Sequence, residues 1–176
     1  GIHFFSPVDK MKLVEIIRGQ KTDEETVARA YDYVQALGKI PIVVNDARGF
    51  YTSRTFGTYV TEGANMLGEG IPAAVIENAG IQCGMPVGPL AVIDETALSL
   101  SVHVLDQTRA DYATEGKTFD APPGQLLIER MVKEFKRPGR AGGAGFYDYP
   151  TEKGARKRLW PELTRLFAKP DVPWDL

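Results

Sequence analysis

The sequence predicts a mainly α protein with a small α/β segment at its start. Three observations carry this. Strand, helix and strand patterns alternate within the first 46 residues; a turn-rich hinge, Asn45-Asp46-Ala47-Arg48-Gly49, changes the composition; and beyond it apolar residues recur at helical spacing with no convincing strand run. The expected domains are residues 1–46, a short α/β piece, and 47–176, a helical domain. A chain of 176 residues suffices for one ordinary core, or for a small domain plus part of another.

The opening stretch, HFFSPVDKMKLVEII, places apolar residues on both sides of the break Ser6-Pro7-Val8-Asp9-Lys10, as two short strands around a turn require. Antiparallel pairing about Asp9 sets His3 opposite Glu15. Spacing leaves two readings open. The residues are either a satisfied histidine at a sheet edge with a solvent-facing glutamate, or a general base whose tautomer and basicity a carboxylate controls.

Lys21 to Gly38 reads as a helix, with Thr22 and Glu25 as a capping box and Gly38 as its C′ glycine. Its apolar set is Val27, Ala30, Tyr31, Val34 and Leu37. Ile40 to Val44 is a strand whose Pro41 favours an edge or a first position. The three elements form a βαβ unit, for which a right-handed crossover is expected.

Past the hinge, Phe50 to Leu67 carries Phe56, Tyr59, Val60, Ala64 and Leu67 on one face, and Pro72 opens the next helix. A glycine- and proline-rich loop spans Gly80 to Pro89, followed by a long apolar helical stretch in two pieces to about Tyr112. Gln125 to Phe135 is a helix with Leu127, Ile128, Met131 and Phe135 inward. A second glycine-rich loop covers Pro138 to Pro150. Gly154 to Phe167 is expected as a last helix, and the tail KPDVPWDL as a linker or loose end.

Bulk properties exclude several classes. A hydrophobic share of 43% and a charged share of 25% suit a globular protein, and a net charge of −2 provides no attraction to nucleic acid or an anionic membrane. No apolar run approaches a membrane span, no signal-peptide pattern is present, and secretion is not expected. Cys83 is the single cysteine, so no internal disulfide can form, and two histidines without a paired CxxC or HExxH pattern make a metal site unexpected. The start at Gly1-Ile2-His3, inside a strand, suggests a piece of a longer polypeptide.

Gly68-Glu69-Gly70-Ile71-Pro72-Ala73 matches G-x-G-x-x-A but follows a helix instead of a strand, so a helix-to-helix turn is expected there, not a phosphate cradle. The Gly139 to Gly145 loop is read as a tight connection, and His103, between Val102 and Val104, as structural. Lys133, Lys136, Arg137, Arg140, Lys153, Arg156, Lys157 and Arg158 form either a solvated face or a surface for CoA phosphates.

Five runs in order, HFFSPVDKMKLVEII, GKIPIVVND, RGFYTSR, GMPVGPLAVIDE and GGAGFYDY, resemble the landmarks of the 3-hydroxyacyl-CoA dehydrogenase family from residue 1 to about 149. The SPVDKM version is similar to the dehydrogenase part of multifunctional fatty-acid β-oxidation proteins, whose α chains also carry an enoyl-CoA hydratase. The resemblance implies the end of a Rossmann-like NAD domain followed by an all-helical C-terminal domain. It implies His3 as general base, Glu15 as its orienting acid, and removal of the 3-hydroxyl proton as hydride leaves carbon 3 for NAD.

Two positions depart from the family pattern. Ser53 stands where many members use asparagine to hold the substrate oxygen, and Ala141 where a lysine lies near the cofactor, with Arg140 beside it as a substitute. Ser6 matches the multifunctional branch. The main NAD-binding loop is expected upstream of Gly1, so the isolated chain is expected to be inactive. Implied partners are an acyl-CoA, the rest of the parent polypeptide and a second copy through the helical domain. The implied setting is the cytoplasm in bacteria, and otherwise mitochondria or peroxisomes. Two other readings remain: a non-catalytic helical dimerisation module with idle dyad residues, and a related dehydrogenase for another hydroxy acid.

Overall fold

The structure, a computed structural model, describes residues 1–152 and 154–169. Lys153 and the tail from Pro170, both named above, lie outside the described residues. The chain divides into two compact units, Gly1–Gly57 and a second from Thr58 onward.

In the first unit β1 (Ile2–Phe4) pairs antiparallel with β2 (Leu13–Arg18), and β2 pairs parallel with β3 (Ile40–Asn45), giving the order β1-β2-β3. The β1–β2 register joins Ile2 to Ile16, His3 to Glu15 and Phe4 to Val14. Pro41 falls on an edge strand, where its missing N–H leaves no ladder bond unmade. Lys39 Nζ donates to the carbonyls of Val8 and Met11, at 2.5 and 2.8 Å, and so ties the β1–β2 turn to the entry of β3.

The crossover helix α1 (Glu24–Ala36) differs from expectation at its start. Asp23, not Thr22, caps it, accepting from Thr26 N at 2.7 Å, while Thr22 Oγ1 accepts from Gly19 N in the preceding turn. A carboxylate in that place also suits the helix dipole. Its end is as expected: Gly38 at φ 71° donates to Gln35 and Lys39 to Val34, a Schellman closure. The buried stripe is narrower than the apolar pattern. Val34 joins Val14 and Ile16 in the core with Ala30 and Phe4 against it, whereas Tyr31 and Leu37 are exposed, because a helix on so small a sheet covers only one line of side chains.

Helix α2 (Thr52–Gly68) follows the hinge and continues into the second unit. There α3 (Ala73–Gln82), α4 (Pro89–Thr96), α5 (Leu98–Thr114) and α6 (Pro123–Lys133) bury Leu67, Ile76, Leu90, Ile93, Leu98, Met131 and their neighbours. The long apolar stretch does break in two, at Ala97 with φ 73°. The Gly68–Gly70 run ends α2 at Gly68 and turns toward α3 through Glu69 and Gly70, the latter at φ 99°.

The end of the chain corrects the sequence reading. In place of one helix from Gly154, β4 (Tyr147–Asp148) pairs antiparallel with β5 (Arg158–Leu159), and only Glu162–Phe167 forms α7. Pro161 is the reason. Its ring and missing N–H bar it from a helix interior, so the helix starts after it. Trp160 instead donates its amide to Phe146 O at 2.9 Å and lies under the Arg137 guanidinium, 4.2 Å from the ring centre.

Candidate active site

The β1–β2 register brings His3 and Glu15 together, with His3 Nδ1 2.7 Å from Glu15 Oε2. Glu15 is fully buried, and its other oxygen, Oε1, accepts from the backbone amides of Tyr51 at 3.1 Å and Thr52 at 2.8 Å. These amides open α2. The hinge delivers them: Gly49 at φ 75° and Phe50 at φ 43°, with Phe50 N donating to Ala47 O at 2.8 Å, reverse the chain between β3 and the helix.

A helix N-terminus favours negative charge. Burial by itself pushes the Glu15 carboxyl up, but the His3 imidazole, the Thr52 amide and hydroxyl, and the Tyr51 amide outweigh it and leave the group below the usual carboxylate range. Glu15 is therefore ionised at neutral pH, and a neutral His3 gives it the Nδ1 proton. That tautomer leaves a lone pair on Nε2. The ring is half-buried, with Phe5 and Phe50 centred 4.6 and 5.9 Å away. Such a group can take a proton from a hydroxyl placed against Nε2, while the carboxylate offsets the charge that results.

Ser53 lies exposed on the first turn of α2, one residue past the amides that hold Glu15. The bonds to Glu15 come from His3, Tyr51 and Thr52, not from Ser53. Arg140 lies in the second unit, within a short 3₁₀ turn. Its guanidinium is 3.4 Å from Glu95 and 6.0 Å from the centre of the Tyr149 ring. Most of the basic residues nearby are likewise paired: Lys133 with Glu129 and Asp106, Arg137 and Arg158 with Asp148, and Lys157 with Glu95. Sequence reasoning missed the amides of Tyr51 and Thr52. The available signal was a glycine turn directly before a helical run, since such a start presents free N–H groups.

Two of the motif runs are explained by buried carboxylates of the second unit. Asp94 is fully buried and accepts from the amides of Phe146 at 2.8 Å and Tyr147 at 2.9 Å and from the Tyr149 phenol at 3.0 Å. Glu77 accepts from the amides of Leu90 and Ala91, at 2.7 and 3.3 Å, where α4 begins. Arg137 donates to the carbonyls of Gly145 and Tyr147 and to Asp148. The run GGAGFYDY is thus latched onto PLAVIDE. Burial pushes Asp94 up to about 6 against the pull of these donors and Arg137. No cluster of three metal-binding side chains occurs among the described residues, and none of their helices is long and apolar enough to cross a membrane.

Residues 1–47 match the family profile described as 3-hydroxyacyl-CoA dehydrogenase, NAD binding domain, and residues 49–149 the one described as 3-hydroxyacyl-CoA dehydrogenase, C-terminal domain. The chain is 36% identical over 172 residues to the fatty acid oxidation complex subunit alpha of Shewanella halifaxensis, covering 98% of this chain and 23% of that one. Among solved structures, the (S)-3-hydroxybutyryl-CoA dehydrogenase of Ralstonia eutropha superposes with a TM-score of 0.73 at 34% identity, over 86% of this chain and 52% of that one. The 3-hydroxybutyryl-CoA dehydrogenase of Escherichia coli gives 0.72 at 28% identity, over 89% and 32%. The chain therefore spans about a quarter of the one relative and a third to a half of the two structures.

Proposed function

Because the chain belongs to the 3-hydroxyacyl-CoA dehydrogenase family, we propose that it carries the proton-transfer half of the oxidation of a 3-hydroxyacyl-CoA to the 3-ketoacyl-CoA, within a longer NAD-dependent protein of fatty-acid β-oxidation. The observation that supports this best is the His3–Glu15 pair, whose carboxylate is held on its far side by the amides of α2.

His3 Nε2 accepts the proton of the 3-hydroxyl as the oxygen–carbon bond becomes double. The imidazolium that forms is stabilised by Glu15, which keeps its own charge because two amides already share it. NAD, when bound, supplies the hydride acceptor. The described residues do not fit it as a cradle: the G-x-G-x-x-A run joins two helices, and the turn from β2 into α1 carries only Gly19. No cofactor contact is assigned to them, and Arg140, engaged with Glu95, gains no support for such a role.

The acyl-CoA substrate and the parent polypeptide follow from the family. Ser53, exposed on the first turn of α2, remains the candidate to hold the substrate oxygen, as serine keeps one hydroxyl donor. Likeness to a bacterial subunit supports a cytoplasmic setting. Exposed Leu100 and Val104 on α5 support contact with a second copy. Replacing His3 by Gln in the whole protein tests the assignment: turnover is expected to fall on the order of 10²–10⁴-fold with the KM for acyl-CoA little changed. Unimpaired turnover refutes it.

A further inference from the structure

Thr52 holds Glu15 with its backbone amide, yet its side chain is unexplained. Thr52 Oγ1 is the one buried side-chain oxygen or nitrogen among the described residues without a formed hydrogen bond. An unsatisfied buried hydroxyl is destabilising. Valine would fill the same volume without that penalty, so an oxygen here needs a reason.

The surroundings supply one. Across the sheet Glu15 faces His3 on β1 and Ile42 on β3, and its remaining polar neighbours come from the first turn of α2. The hydroxyl sits on that turn, on the residue whose amide reaches Glu15 Oε1 at 2.8 Å, and it adds to the influences that hold the carboxyl below its usual range. A small rotation about the Cα–Cβ bond swings the oxygen toward the carboxylate, and its proton then turns about the C–O bond to complete a third bond. Each donor on Glu15 draws off charge that would otherwise be directed at His3. The amides of Tyr51 and Thr52 are fixed by the helix, whereas a hydroxyl can form and release its bond as the charge on His3 changes.

We infer that Thr52 is a positioning residue whose hydroxyl, as an adjustable third donor to Glu15, sets how strongly that carboxylate holds the His3 imidazole. The inference rests on the reading of His3 as proton acceptor. It acts through Glu15 and involves no contact with substrate.

The test needs no substrate, which separates its failure from failure of the proposed function. The chain has only two histidines, His3 and His103, so long-range proton–nitrogen NMR through the ring C–H groups resolves both, with His3→Gln fixing the assignment. At about pH 8, above the ordinary imidazole range, Thr52→Val should move the Nδ1 resonance of His3 downfield, the sign of a stronger bond to Glu15. Thr52→Ser, which keeps the hydroxyl, should leave it at the wild-type position, and His103 should not move in either. If valine does not fold, Thr52→Ala removes the same oxygen with less bulk. A His3 resonance unmoved by loss of the hydroxyl, or moved equally by serine, overturns the inference.

Discussion

The phenol of Tyr147 donates to Glu77 at 2.6 Å, and the amide of the same residue donates to Asp94 at 2.9 Å. One tyrosine therefore satisfies two buried carboxylates at once. Burial and these carboxylates push its phenol far above the usual range, so it remains a donor at any pH the protein meets.

Tyr147→Phe keeps the ring and removes the phenolic donor. Glu77 then has one buried oxygen short of a partner, a loss on the order of 1–3 kcal/mol. Urea unfolding should show a lower midpoint with an unchanged slope. An unaltered midpoint would mean that water replaces the phenol.

Asp94 gives a pH dependence of definite sign. Its carboxyl is raised from 3.8 to about 6 in the fold, so between those values the folded state binds the proton more tightly than the unfolded chain. Its contribution to stability is complete below about pH 4 and is lost as pH rises through 6, by up to roughly 3 kcal/mol. The difference in unfolding free energy between wild type and Asp94→Asn should fall across this window. A flat difference contradicts the assignment.

Gly145 leaves no room for a side chain, because a Cβ there would collide with both carboxylate oxygens of Asp94. Gly145→Ala should cost more than about 3 kcal/mol, since it opens the latch on a buried charge. Gly143→Ala, where a Cβ meets nothing within 4 Å but φ is 77°, should cost only about 1 kcal/mol. Thermal melts of the two variants side by side would decide this.

Glu15→Gln retains an acceptor for the α2 amides but turns an NH₂ toward His3. Nδ1 must then accept, the ring proton moves to Nε2, and the base is lost. Turnover of the whole protein should fall on the order of 10²-fold or more, with KM nearly constant and the fold intact by circular dichroism. Normal turnover would assign Glu15 a structural part only.

The pairing of His3 with Glu15 was legible from the sequence because a period-2 pattern around one turn admits few registers. Schellman closure at Gly38 was legible for a similar reason, since a helix end needing positive φ selects glycine. What could not be read were bonds made by the backbone. The amides of Tyr51 and Thr52 carry no residue identity, and nothing in their letters marks them as ligands of a carboxylate. Glu77 and Asp94 look like ordinary polar positions on helices until the fold brings Phe146 and Tyr147 against them. The helix expected from Gly154 is stopped by Pro161, which cannot occupy the helix interior that the apolar spacing around it suggests.

The two amides that hold Glu15 are also the opening amides of α2. If that first turn frays, Glu15 loses both donors together and the charge facing His3 is no longer fixed. Readiness for proton transfer is thus linked to a local folding equilibrium, and the hydrogen-exchange rates of Tyr51 and Thr52 report how often, and for how long, the pair lets go.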